Sequence, residues 1–543
     1  MRIQRENLLN PTPDKKRFSS QPSLLGGTSI LLLMLPLALS ACGASPAPAN
    51  NPAPAADTSM KGQTEAPLEV SIMTITPSTP TASEDNVIKR AIEKATNSKM
   101  TIRWTSNNVY SDKLNISLAS GDIADLTMIN NPFTSNFRTM AAQGAFWDIT
   151  PYIKDYPNFQ KGVSPIAWES TKMADGKNYG IPRGRDENDE SFFIIRKDWL
   201  DNVGLKPPTT TDELYEVMKA FKEKDPDKNG KNDTTALAAY IPSDDTTTGG
   251  GIGPALGMIE SSFTGVTGSW KLVDNELVYT ALLPEVRKSL EYNAKAFQEK
   301  LMPDDLLSLK ITQVRDLFKT NKAGIIVDKS GTASRVYTTD LKKVVPDFKD
   351  TEFYPLTSIN GYTPKSAGFN GILAIPKSVP EAKMKRILKL INDWMNTDVS
   401  AIQRFGFEGV HHQVVNGVKV QIADKLNADN ASDFNQIVNP IDPSLDPIPT
   451  TPEGKASQEL YDKVKQERSK VSIGDISTGL NSPTAQKVLP DLEKKIQDLK
   501  AKIIYGREPI TAWDDFVAKT KSDPNVIKMS EEMTQAYLTR VGK

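Results

Sequence analysis

Leu68-Glu-Val-Ser-Ile-Met-Thr-Ile75 alternates apolar and polar side chains with a period of two, the pattern of a strand. The next segment, Asp85 to Asn97, places Val87, Ile88, Ala91, Ile92 and Ala95 at helical spacing and reads as an amphipathic helix. Met100-Thr-Ile-Arg-Trp104 is a second strand, Ser111 to Ser120 a second helix, and Ala124-Asp-Leu-Thr-Met-Ile129 a third strand. A β-α-β-α-β order requires crossovers, which give a mostly parallel sheet with helices on both faces. Ligands of such sheets sit beyond the carboxyl ends of the strands. The turns after Ile75, Trp104 and Ile129 are therefore the first places to look, and they single out Asn107 and Asn130 as partners for ligand hydroxyls. Ordinary capping and turn chemistry would use the same two residues.

Downstream the alternation continues. Ser191-Phe-Phe-Ile-Ile-Arg196, Ala323-Gly-Ile-Ile-Val327 and Ile372-Leu-Ala-Ile375 read as strands; Glu285 to Lys300 and Glu381 to Met395 read as helices. Thr210-Thr-Asp-Glu213 fits a capping box ahead of a helix striped by Leu214, Val217, Met218 and Phe221. Ser482 with Pro483 starts a helix running towards Lys502, which Pro490 is expected to break or kink. Asn430 to Lys455 contains Pro440, Pro443, Pro447, Pro449 and Pro452 and reads as a surface loop.

Upstream, residues 1–23 carry Arg2, Arg5, Lys15, Lys16 and Arg17 against Glu6 and Asp14, and an apolar run follows from Leu24 to Ala41. It ends at Leu39-Ser-Ala-Cys42, which resembles the lipobox of bacterial lipoproteins, where the cysteine is acylated and becomes the new N-terminus. Residues 1–41 are thus expected to be a signal peptide, with Cys42 the lipidation site. An uncleaved anchor is the alternative, opposed by Gly26, Gly27 and Pro36 within the run. Residues 42–67 are rich in Pro and Ala, have little to bury, and read as a flexible tether.

Composition narrows the function. The 543 residues hold 66 Lys plus Arg against 67 Asp plus Glu, a balance unsuited to the polyanionic surface of nucleic acid. A single cysteine excludes an intramolecular disulfide, and two histidines leave little for zinc or haem. No redox or nucleotide cofactor is expected. Gly249-Gly-Gly-Ile-Gly253-Pro-Ala-Leu-Gly257 lacks the Gly-Lys-Ser/Thr ending of a phosphate loop, and Pro254 is expected to interrupt the helix start, so it reads as a flexible surface loop.

Five segments carry a family resemblance. Leu118-Ala-Ser-Gly-Asp-Ile-Ala-Asp125, Asp175-Gly-Lys-Asn-Tyr-Gly-Ile-Pro182, Ile195-Arg-Lys-Asp-Trp-Leu200, Pro208 to Thr234 and Gly406-Phe-Glu-Gly-Val410 occur in the order found in family 1 extracellular solute-binding proteins. The chain resembles the long, LplA-like oligosaccharide-binding lipoproteins of ABC importers. That resemblance implies a two-lobed periplasmic-binding-protein-like fold of type II, each lobe a mostly parallel sheet flanked by helices. Residues 68–185 plus 368–475 would form one lobe and 190–365 plus 476–543 the other. The first crossing is expected near Pro182 to Phe193 and a return near Gly368 to Ile372. It further implies a monomer at the outer face of the bacterial cell membrane. There it would capture a carbohydrate between its lobes and hand it to permease subunits without altering it. The competing readings are a secreted polysaccharide-active enzyme and a peptide- or signal-binding lipoprotein on the same scaffold.

Several side chains are candidates for that binding. Indole stacks on the flat C–H faces of sugars, and family position favours Trp270, then Trp168, over Trp147; for any single tryptophan a core role is as reasonable. Trp199 and Trp394 lie on amphipathic segments and read as core. Glu408 and His411, in Glu408-Gly-Val-His-His412, are placed by the resemblance where a sugar would stack or hydrogen-bond. Asp225, Asp227, Asn229, Lys231 (through its carbonyl) and Asp233 follow the rhythm of an EF-hand loop, with Gly230 at the sixth position. Ala236 stands where the bidentate glutamate would be. The loop is read as a structural Ca²⁺ site, with a polar turn closing the preceding helix as the alternative.

Overall fold

The computed structural model describes residues 65–542 apart from 189, 243–250, 330 and 332–336. The leader, Cys42 and all but the last three tether residues lie outside the described residues. So does part of the glycine-rich stretch.

Two sheets organise the body. The first is built by Leu68–Thr76, Ser98–Ser106 and Leu126–Ile129, which run parallel to one another. Phe369–Ala374 and Ile181–Gly184 complete it. Phe369–Ala374 is antiparallel to both of its neighbours, so the sheet is mixed rather than mostly parallel. The reason is topological: this strand enters from the other half of the molecule and not through a crossover helix. The second sheet orders Phe353–Pro355, Phe192–Arg196, Ala323–Asp328 and Thr235–Leu237, and only its last pair is parallel.

Each sheet has its own core. Ile72, Ile88, Ile92, Leu126, Phe137, Phe159, Ile372, Ile387 and Trp394 are fully buried in the first. Phe192, Trp199, Leu214, Phe221, Leu256, Leu290, Ile325, Ile496 and Trp513 fill the second. Burying each such side chain stabilises the fold by roughly 1.5–3 kcal/mol. Helix ends are fixed locally: Asn86 accepts hydrogen bonds from the amides of Ile88 and Lys89, and the Thr210–Glu213 capping box is formed in full.

The chain passes from the first sheet to the second between Gly184 and Phe192, and it returns along Phe369–Ala374. The stretch 430–455 is not merely surface loop. Phe434, Ile437 and Val438 are buried in the first core, because this turn closes the open side of that lobe. The following helix, Pro452–Val471, lies against the second half: the Arg468 guanidinium donates to the Leu356 carbonyl at 3.0 and 2.7 Å, and Glu453 accepts from the Asp350 amide at 2.8 Å. This third passage therefore precedes residue 452, earlier than the boundary at 475. Two proline expectations also change. Pro490 is carried inside the continuous helix Pro483–Ile504, where Leu492, Ile496 and Ile504 anchor it to the core. Pro254 opens the helix Gly253–Thr264 and does not interrupt it. No helix among the described residues is long and apolar enough to cross a membrane.

Candidate functional site

The site is built where the carboxyl edge of the first sheet meets the crossing strands. Asn107 opens a 3₁₀ turn directly after Ser98–Ser106 and is exposed. Asn130 follows Leu126–Ile129, is exposed, and donates from its side-chain amide to Ser111 Oγ at 3.0 Å. The fold thus brings both asparagines to one edge, through Ser111 on the helix that Asn107 precedes.

Beside them is an aromatic pair. Phe133 lies three residues past Asn130, and Phe369 begins the returning strand. Their rings meet edge to face with centroids 6.2 Å apart, and both are half-buried. Arg138, in the helix Ser135–Ala142, holds its guanidinium 5.0 Å from the Phe133 ring centre. Phe369 in turn pairs across the sheet with Gly184. Arg183 and Arg185 flank that glycine on the outgoing crossing, and the Arg185 amide donates to the Gly368 carbonyl at 2.8 Å.

A loop of the second half closes over this edge. Arg138 donates to Asn481 Oδ1 at 2.6 Å and to the Leu480 carbonyl at 3.2 and 3.1 Å. Burial pushes its pKa down to about 10. The loop is fastened to its own half by Arg540, which donates to the carbonyls of Ile476 and Thr478. Asp475 fastens it further, lying against Gly268: a Cβ on that glycine would come within 2.3 Å of the Asp475 carboxyl carbon. Gly479, at φ +81°, lets the loop approach the Ser170 carbonyl, which a Cβ there would reach at 3.3 Å. Leu480 and Asn481 thus form one jaw and Arg138 the other.

The remaining sequence candidates do not gather here. Trp168 lies on Pro165–Ser170, a helix that abuts Gly368, but its half-buried ring rests on Phe159 with centroids 6.1 Å apart. Trp270 is 3% exposed and packs on Tyr279 in the second core, so it offers no platform. Trp147 donates to the Val379 carbonyl and carries the Lys377 ammonium on its ring. Trp199 and Trp394 are wholly buried. Glu408 is exposed on a turn, whereas His411 is buried: its Nδ1 accepts from the Phe407 amide at 3.1 Å, and its Nε2 meets Asp429 at 2.8 Å. Both ring nitrogens are committed to holding that turn, which leaves none for a sugar hydroxyl.

The acidic loop is compact. Asp225 accepts from the amides of Asn229 and Gly230 at 3.1 and 2.9 Å, and the Asn229 side chain donates to Asp227 and Asp233 at 2.8 and 3.0 Å. Lys322 pairs with Asp233 at 2.7 Å. Among the described residues no three His, Cys, Asp or Glu side chains converge as a ready-made metal set. One oxygen is nevertheless orphaned: Asp227 Oδ1 is buried without a hydrogen-bond partner. Burial, and then the neighbouring Asp225, raise the Asp227 pKa. A cation there would relieve both penalties, so the donor set fits a hard divalent ion.

Phe133, Phe369 and Arg138 were missed by the sequence reading. Phe133 lies in Asn130-Asn-Pro-Phe133, immediately past a predicted strand end, where that location rule already applied. Phe369 stands at the predicted return. Nothing local marks Arg138, whose hydrogen-bond partners are more than 340 residues away.

The chain and its fold have known counterparts. The family model described as bacterial extracellular solute-binding protein matches residues 77–385. The polygalacturonan/rhamnogalacturonan-binding protein YtcQ of Bacillus subtilis (strain 168) is 31% identical over 448 residues, covering 81% of this chain and 85% of that one. Among solved structures, the alginate-binding protein AlgQ2 superposes with a TM-score of 0.64 at 21% identity, over 87% of this chain and 98% of that one. The Streptococcus pneumoniae substrate-binding protein FusA, in complex with kestose, gives 0.62 at 17% identity, over 88% and 100%.

Proposed function

Because the chain belongs to the family of bacterial extracellular solute-binding proteins, we propose that it captures an oligosaccharide between its two lobes and delivers it to an ABC importer. The observation that carries this reading is the seam itself. An aromatic pair, Phe133 and Phe369, lies at the carboxyl edge of the first sheet, under an arginine that already grips the opposite lobe. Aromatic faces suit the C–H surfaces of sugars, and Asn107 and Asn130 stand ready to exchange hydrogen bonds with hydroxyls. A ligand held there touches both lobes only when they are closed, so its binding energy favours the closed form.

The process is one of transfer, with no covalent step. The matched family and the polygalacturonan relative are binding proteins. Acylation at Cys42 would leash the body to the outer face of the membrane, with the Pro/Ala-rich segment as the tether, and the closed lobes would dock on permease subunits. Asp225, Asp227, Asn229, Asp233 and the Lys231 carbonyl would hold a Ca²⁺ ion, which would neutralise the crowded carboxylates and stiffen the loop after the helix Thr211–Glu223.

A thermal-shift screen of neutral and acidic oligosaccharides, with short peptides as the control set, tests the reading. Sugars that bind the folded state raise the melting temperature. Stabilisation by peptides alone, or shortened glycans recovered after incubation, would overturn it.

A further inference from the structure

The crossing between the lobes contains an imbalance of charge. Two of its carboxylates have cation partners: Asp186 pairs with Lys465, and Glu187 with Lys365 at 3.2 Å. Glu190 accepts from the Ser191 amide. Among the described residues its two arginines form no such ion pair, although the Glu190 charge acts favourably on Arg185. Arg183 is 2% exposed and makes a single hydrogen bond, from Nη1 to the Gln436 carbonyl at 3.0 Å, while its Nε and Nη2 are buried with no acceptor. Arg185 keeps some exposure and spends Nη1 on the Gly184 carbonyl of its own backbone. Among the described residues no carboxylate lies within 4.0 Å of either guanidinium, nor of Arg138. Asp433, on the same turn as Gln436, is already taken by the hydroxyls of Thr76 and Ser78 at 2.7 and 2.6 Å.

Such an arrangement is costly. Burial, and then the charge of Arg185, lower the Arg183 pKa. Burial, and then the Arg404 charge, push Arg185 down to about 10, against the opposing pull of the Glu190 carboxylate. Like charges gathered in a poorly hydrated seam destabilise the protein unless an anion completes them. The group they await must be planar or forked to use guanidinium donors in pairs, and it must arrive with the ligand. The register locates it. Gly184, between the two arginines, pairs with Phe369, whose ring meets Phe133, over which Arg138 lies.

We propose that Arg183 and Arg185, with Arg138 across the aromatic pair, form an anion subsite that receives the carboxylate of a uronic-acid unit, so that the oligosaccharide captured here is acidic. The assignment rests on the carbohydrate-capture reading above and refines it.

The decisive experiment changes the ligand rather than the fold. Trigalacturonate, its fully methyl-esterified form and the neutral trisaccharide maltotriose are titrated calorimetrically into the full-length chain in detergent, at two salt concentrations. The expected result is binding of the acid, at least tenfold weaker binding of the ester, and a loss of affinity for the acid as salt rises. Arg185→Gln, at the more exposed position, should shrink the acid-to-ester ratio severalfold while circular dichroism stays unchanged. Equal affinity for acid and ester, or a ratio unmoved by Arg185→Gln, overturns the subsite. Maltotriose binding with trigalacturonate ignored also overturns it, while carbohydrate capture survives. Binding of no saccharide in a wider panel defeats both.

Discussion

Replacing Arg138 by alanine should loosen the two lobes without unfolding either. In the structure its guanidinium makes one contact to Asn481 Oδ1 at 2.6 Å and a forked pair to the Leu480 carbonyl at 3.2 and 3.1 Å. Counting the fork once gives about two charge-assisted hydrogen bonds, each worth about 1.5–3 kcal/mol when shielded from water. Some of that is recovered when water rehydrates the freed carbonyl, so a net loss of about 3 kcal/mol for the closed form is reasonable. If ligand is held only by the closed form, apparent affinity scales with the closed fraction, and about 3 kcal/mol corresponds to roughly a hundredfold at most. Arg138→Lys keeps the charge but loses the fork and should fall between. The assay is calorimetric titration with whichever oligosaccharide the thermal screen selects, paired with small-angle scattering of the free protein. The variant should bind more weakly and scatter as a larger particle, with its melting temperature nearly unchanged. Undiminished affinity, or a melting temperature that collapses, would refute the idea that this residue works across the seam.

Three further outcomes follow from other parts of the molecule. Chelation by EGTA should lower the melting temperature and added Ca²⁺ should restore it, with Asp227→Asn abolishing the response; a scan indifferent to Ca²⁺ would remove the ion from the account. Lys500 is wholly buried and donates to both oxygens of Glu260 at 2.7 Å, so Lys500→Met should cost about 3–5 kcal/mol in denaturant unfolding, because it strands the carboxylate. Adding Glu260→Leu should recover most of that loss, and a double variant as unstable as the single one would contradict the explanation. Burial raises the Asp475 carboxyl above its ordinary pKa, so the folded state holds that proton more tightly than the unfolded one. Its contribution to stability is then greatest below the unfolded value and falls as pH rises through the folded one. Asp475→Asn should therefore be more stabilising, or less harmful, at pH 7 than at pH 3, read from melting temperatures; the reverse order would show that the Ser477 hydrogen bonds dominate.

Much of the fold was legible because its signals are local. The period-two run at Leu68 and the 3.6-residue stripe at Val87 need only their own residues, and they appear as Leu68–Thr76 and Val87–Thr96. The capping box at Thr210 is likewise a four-residue device. Sheet direction was not legible, since whether Phe369–Ala374 enters parallel or antiparallel depends on a chain reversal through the other half. Prolines misled in both directions. Pro490 is tolerated where tertiary burial outweighs one lost backbone hydrogen bond, and the Pro-rich turn near Phe434 is drawn inward by its apolar residues.

The site divides along the same line. Asn107 and Asn130 follow from the rule that strand carboxyl ends face the ligand, and the structure sets both at one edge. Trp270 and His411 were inferred from residue type and family position, and burial assigns them structural work: an indole on Tyr279, and an imidazole with both nitrogens occupied. The arginines escaped notice because a lone arginine carries no periodic signal. Their meaning lies in forming no ion pair with a carboxylate among the described residues, which only three dimensions reveal.

A crystal structure of the complex with a bound oligosaccharide tests the central claim most directly. An intact saccharide should lie between the lobes, one ring against Phe133 and Phe369, with guanidinium contacts from Arg138, Arg183 and Arg185. A saccharide seated on the outer surface of one lobe, or found cleaved at the seam, would contradict it.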